Sequence, residues 1–348
     1  MTPATEETAS RGSLARYTYQ VLIAVAIAAA VVVLWRISSV VMMIFGAVLL
    51  ATALRTLMRT IVRVTGLGER PSFAIAVLLI IAVLGLTGWL VGGQVSGQLG
   101  DLEKVLPDAI QKAKGWLQQS SIGNTIVQST GAIKDNAGGA VSGVAHFATS
   151  TLGALTDVIF IIFVGLYLAA DPGLHRRGLA RLLPVAARAP TIAAMEAAGV
   201  GLRKWLLGQV IAMVSVGIFA FAGLSLLGIP LAMPLALITA LLEFIPFIGP
   251  IISAIPAILM GFTLGPTDAL YVGLLYLAMH QLEGNVLMPL IQKWAVELPP
   301  ALGITAVIVF GLLFGLLGVL FAVPLMVALM ILVQKLYVER ALESKPAT

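Results

Sequence analysis

Residues 231–264 form an apolar stretch too long to cross a bilayer once, and it carries its own break in the middle. At 1.5 Å per residue a continuous helix here would be about 51 Å long, against a hydrocarbon slab of roughly 30 Å. From Pro234 to Pro256 it reads PLALITALLEFIPFIGPIISAIP, with one carboxylate, Glu243, just before Pro246, Gly249 and Pro250. Each proline removes a backbone donor and crowds the preceding turn, and Gly249 tolerates conformations a helix does not use. The stretch therefore breaks at Pro246–Pro250. A carboxylate beside broken backbone at membrane depth is tolerated where it lines a cavity. Such a break points to transport.

A second broken stretch follows. Shifted by 66 residues, Pro234, Ile238, Thr239, Ala240, Phe244 and Gly249 fall on Pro300, Ile304, Thr305, Ala306, Phe310 and Gly315. Residues 300–337 would span about 57 Å as one rod, and Gly315, Gly318 and Pro324 are their weak points. Paired apolar segments interrupted by Gly and Pro mark the binding sites of transporters.

Composition agrees. With 59% hydrophobic and 11% charged residues, and a mean hydropathy of +1.04, the chain is far from the quarter charged residues of soluble domains. It reads as an all-α, polytopic helical membrane protein with about eight transmembrane segments, two of them broken helices or re-entrant hairpins. The net charge of +5 is a topology signal, and nucleic acid is not an expected partner. There is no cysteine, and His146, His175 and His280 are too dispersed for an obvious zinc site.

Residues 1–15 are polar and expected to be disordered; 16–98 hold segments 1–3, beginning with the span Val21–Trp35 within Arg16–Trp35, which reads as a retained helix rather than a signal peptide. Residues 99–147 form the one long polar excursion, an amphipathic helix followed by a Gly/Ser/Asn-rich loop. Segments 4–8 occupy 148–338, with the presumed transport site, and 339–348 form a tail. The basic patches Arg55–Arg70 and Arg176–Lys204 and the C-terminus all favour the cytoplasm, which puts both termini inside and 99–147 outside. Kinked single spans would place Lys293 outside, whereas hairpins of opposite orientation would place it inside.

The helix Leu270–Met288 carries a polar cluster, His280-Gln281-Leu282-Glu283-Gly284-Asn285. His280 and Glu283 share one face, Gln281 and Asn285 a neighbouring one. Glu243 and Glu283 are candidate proton or cation carriers, with Gln281 and Asn285 as hydrogen-bonding ligands and Thr239 and Thr305 as further candidates. The hinges are Pro246, Gly249, Pro250, Gly315, Gly318 and Pro324. No GxxxxGK[ST] or HExxH occurs, and no nucleophile–base set is visible, so a transporter that spends no ATP is expected rather than an enzyme. No cofactor is called for.

Glu243-Phe-Ile-Pro246-Phe-Ile-Gly249-Pro250 resembles the hallmark of the AI-2E (autoinducer-2 exporter-like, PerM/UPF0118) family of bacterial membrane proteins. Gln281-Leu-Glu283-Gly284-Asn285-Val-Leu-Met-Pro289 is similar to its Q-x-x-E-x-N-x-x-x-P pattern. Leu206-Leu207-Gly208-Gln209, and Gly311, Gly315 and Gly318 before Ala322-Val323-Pro324-Leu325, fit as well. Two departures are Gln292-Lys293-Trp294, where a glycine is expected, and His280, which is not a usual family residue. The resemblance implies a multi-pass transporter of the bacterial plasma (inner) membrane, embedded in the lipid bilayer and homo-oligomeric, with a pentamer as one form. It implies export of a small polar solute such as autoinducer-2, or exchange of sodium for protons. An oligomeric ion or solute channel, or a structural or chaperone-like membrane protein, are the alternatives.

Overall fold

The computed structural model describes residues 38–83, 85, 86, 89, 151–294, 296 and 298–342. Among these the chain is helical, with no strand. The first expected span, Val21–Trp35, and the polar excursion 99–147 lie outside the described residues.

Helix α1 (Ser38–Thr65) continues through the basic patch, and α2 covers 69–83. Helix α3 (Thr151–Ala170) packs along α1. Arg55 of α1 donates from Nε to the Ala169 carbonyl at 2.6 Å, and from a terminal nitrogen to that of Ala170 at 2.9 Å. These are carbonyls that a helix end leaves without an internal donor. Part of the cytoplasm-favouring charge is thus also structural. Asp171 then accepts from the Leu174 amide and starts α4 (Pro172–Arg181), which turns 91° away from α3.

Helix α5 (Val185–Leu226) begins well before the apolar run that opens at Leu206. Residues 185–205 are rich in alanine, the strongest helix former, and carry the helix back through Arg188, Arg203 and Lys204. Among the described residues, three helices are long and apolar enough by length and composition to cross a membrane: Ser39–Thr65 in α1, Val185–Leu226, and Pro300–Glu339, the last interrupted by a bend at Gly315, with a fourth if the bent α3–α4 pair is one span. Their outer faces leave large apolar groups exposed, such as Phe163 at 70% and Ile218 at 61%, as lipid-facing surfaces do.

Both broken stretches fold back on themselves. Helix α6 (Ala232–Leu242) and α7 (Ile248–Leu264) are the arms of the first. A Cβ added to Gly249 would overlap the carbonyl oxygen of Leu242, although seven residues along a continuous helix rise about 10 Å. In α9 (Pro300–Val333) the bend is Gly315, at φ 64° and ψ −142°. There a Cβ on Gly318 would overlap the Phe310 carbonyl oxygen. Ala306 and Val307 before that bend share one core cluster with Ala322, Val323 and Val327 after it.

The two hairpins are related, but not in the register of the 66-residue offset. The positive-φ bend is Phe247 in the first and Gly315 in the second; the close-packed glycine is Gly249 in the first and Gly318 in the second. Thr239 is fully buried and Thr305 is exposed.

Gly315 has open space around it, so an alanine there meets only the backbone penalty of its conformation, about 1–3 kcal/mol. Gly315→Ala is expected to lower the melting temperature of the detergent-solubilised protein by several degrees. Gly199→Ala, in the open middle of α5, should hold or raise it.

Between the hairpins, α8 (Pro266–Leu282) continues through a wide π-turn, Glu283–Leu287, to Met288–Gln292. One core joins Val216, Ala220 and Leu224 of α5 to Leu235 and Ala236 of α6. Ala257 and Met260 of α7, and Val272, Tyr276 and Met279 of α8, complete it. A second core clamps Trp205 of α5 against both arms of α9.

Candidate functional site

Helix α6 ends in tightening turns: the amide of Phe244 donates to Leu241 at 3.2 Å and that of Ile245 to Leu242 at 2.9 Å. Pro246 has no amide to extend the ladder. Phe247 is then held at φ 69° and ψ −42°, a backbone state that costs a non-glycine residue about 1–3 kcal/mol. Its ring lies over Gly303, where an added Cβ would meet it at 3.0 Å. The bend of the first hairpin therefore rests on the first turn of the second.

Gln209 secures the break from α5. Its side-chain nitrogen donates to the main-chain carbonyl of Glu243 at 2.6 Å, filling an acceptor the ended helix leaves open. Trp205, one turn earlier, packs edge-on against Phe244 with ring centres 5.9 Å apart.

The Glu243 side chain is 1% exposed, and its Oε2 accepts no hydrogen bond among the described residues. One ligand atom each of Glu243, His280 and Glu283 lies within 4.8 Å of the other two. His280 Nδ1 is 3.2 Å from Glu283 Oε2, while His280 Nε2 is buried with no partner among the described residues. Two bare carboxylates at such a distance repel by roughly 3.5 kcal/mol at an effective dielectric of 20. A proton or a cation between them relieves that repulsion.

The cluster borders a cavity of about 510 Å³. Gln209, His280 and Glu283 are polar groups on its wall, Pro246, Phe247 and Pro250 bring the first break to it, and Pro300 and Gly303 bring the first turn of α9. No lysine or arginine is among the described residues that line it. Glu243 sits behind His280 and Glu283, reached through them.

The other candidates are placed differently. Thr239 donates to the Leu235 carbonyl at 2.8 Å. Its one hydrogen is thus used, so the Tyr276 hydroxyl, at 2.8 Å, donates to it. That pair ties α6 to α8. Gln281 and Asn285 bond one another at 3.2 Å on an exposed face, away from Glu243. Gly315 and Gly318 shape the second bend, and Pro324 is buried in the arm beyond it.

Sequence reasoning named Gln209 and His280 without placing either in the site, and did not single out Tyr276. The signal for Tyr276 was its spacing of four from His280 in an apolar helix, which sets both on one face; the two rings pack with centres 6.2 Å apart. Nothing local tells that Gln209 reaches a carbonyl 34 positions away.

Residues 22–337 match the family described as "AI-2E family transporter". The chain is 25% identical over 238 residues to YueF of Bacillus subtilis, which covers 63% of this chain and 64% of YueF. It is 27% identical over 173 residues to YrrI of the same organism, covering 50% and 48%. With MT0215 of Mycobacterium tuberculosis it is 27% identical over 255 residues, covering 69% of each. All three are named, provisionally, as transport proteins. The matched part is less than two thirds of YueF and about half of YrrI.

Proposed function

Since the chain belongs to the AI-2E transporter family, we propose that it is a secondary transporter that exports a small polar solute of autoinducer-2 type or exchanges cations for protons. The observation that carries this reading is Glu243: a buried carboxylate with an unpaired oxygen, beside the break of an apolar hairpin and next to a second carboxylate on a cavity wall. A purely structural carboxylate at a helix break would be satisfied by donors. Glu243 and Glu283 carry the proton or cation, and His280, paired with Glu283, relays protons between the buried position and the cavity. Half-helix ends and freed carbonyls at the first bend supply further ligands. Gln281, Asn285, Thr239 and Thr305 stay as secondary candidates, with Thr239 acting through the lock it forms with Tyr276.

The fold-back of both stretches supports hairpins of opposite orientation in the membrane. Each returns the chain to the side from which it entered, so Lys293, in the exposed turn between α8 and α9, faces the cytoplasm with both termini. Because the chain has no cysteine, Lys293→Cys gives a single label site. An impermeant maleimide is expected to modify it in inside-out vesicles and to leave it untouched in intact cells; labelling from outside would overturn the opposed-hairpin topology.

The transport reading is tested by reconstituting the protein in vesicles with an internal pH dye and imposing sodium or proton gradients. Saturable, gradient-driven exchange absent from empty vesicles is expected. Flux rising linearly with driving force, without counterflow, would favour a channel instead.

A further inference from the structure

The side chains that meet at the first break suit a metal ion as well as a proton. We propose that Glu243, His280 and Glu283 form a binding site for a first-row divalent cation of the zinc type, open toward the cavity. The inference deepens the transporter reading by naming the class of cation, but its test does not depend on flux.

The donor set is one imidazole and two carboxylates, each offering an atom within 4.8 Å of the others. A tetrahedral ion with bonds near 2.0–2.1 Å holds its ligand atoms about 3.3 Å apart. The one pair measured directly, His280 Nδ1 and Glu283 Oε2, is already at 3.2 Å. Small side-chain rotations close the remainder.

An observation independent of this clustering points to a ligand. Glu243 is 1% exposed, yet its Oε2 has no donor among the described residues. No lysine or arginine among the described lining residues supplies the positive charge the two acids lack.

Imidazole nitrogen also decides which ion. Sodium, magnesium and calcium prefer all-oxygen sites, whereas zinc and its neighbours take mixed nitrogen and oxygen ligands. Three protein ligands leave the fourth position open, as in exchangeable sites and unlike the closed four-ligand structural ones. Here the open position faces the cavity, where water or the oxygen of a small solute completes the shell.

The test is a titration of full-length, chelator-stripped protein in detergent with Co²⁺ alone, followed by its visible absorption, and then displacement by Zn²⁺. One saturable site per protomer is expected. Glu243→Gln, His280→Gln and Glu283→Gln should each weaken binding at least about tenfold, in variants that still elute as single species with wild-type helical content. His175→Gln, which removes a histidine bonded to the Asp171 carbonyl, should change nothing. As a check that needs no variant, X-ray absorption of the Zn²⁺-loaded wild type should show an imidazole in the first coordination sphere. No saturable site, binding that all three substitutions leave unmoved (an adventitious ion only), or a shell without imidazole would overturn the proposal. If wild type binds no metal but Glu243→Gln abolishes flux, the metal site falls and the transporter reading stands.

Discussion

Glu243→Gln is expected to lower gradient-driven flux through the reconstituted protein by about 100-fold while leaving the fold intact. Glutamine matches the shape of glutamate, so the cores around α6 and α8 are undisturbed. What is lost is the one fully buried carboxyl group among the described residues, 1% exposed, and with it a site that can take up and release a proton or hold a cation. Interactions of a charged group with a bound proton or cation are worth up to roughly 3 kcal/mol, which is about two decades in an equilibrium. Glu283→Gln should have a smaller effect, because Glu283 is only partly buried and borders the open cavity. Initial rates in vesicles of equal protein content, with helical content checked by circular dichroism, decide the matter. Flux within twofold of wild type in both variants would remove the carboxylates from the mechanism.

Gly249→Ala is expected to be among the most damaging single-methyl changes at the described residues. The new Cβ would overlap the carbonyl oxygen of Leu242, which is backbone and cannot rotate away. Relief requires the two arms of the first hairpin to part, and that strips Gln209 from the Glu243 carbonyl and Phe247 from Gly303. Overpacking of this kind costs about 3 kcal/mol or more. A loss of folded protein after membrane extraction, or a fall in melting temperature larger than that of Gly315→Ala, is the expected readout by fluorescence-detected size exclusion. Gly318→Ala, against the Phe310 carbonyl oxygen, should behave alike. A wild-type melting profile for Gly249→Ala would mean that the arms do not lie together.

The comparison between these glycines shows how far the sequence could be read. The breaks themselves were legible because apolar length, proline chemistry and bilayer thickness are local quantities. Their internal register was not. Matching letters align Gly249 with Gly315, but the residue that turns the chain and the residue that accepts its neighbour's backbone are different ones in each hairpin. Only three-dimensional closure separates those two roles. The pairing of His280 with Glu283 followed from a spacing of three on one helix, and the structure shows it at 3.2 Å. The approach of Glu243 to that pair did not, since it depends on how α6 and α8 pack through Tyr276 and Thr239. Thr305, a counterpart of buried Thr239 by letter, ends on an exposed face among the described residues.

The ring of Phe247 lying on Gly303 links the bend of the first hairpin mechanically to the first turn of the second. With a side chain of one fold-back seated on the main chain of the other, neither can swing without disturbing that contact. Any rocking that exposes the cavity to one side of the membrane would then move both as a single lever, and a leak through two half-open gates would be avoided by steric contact alone.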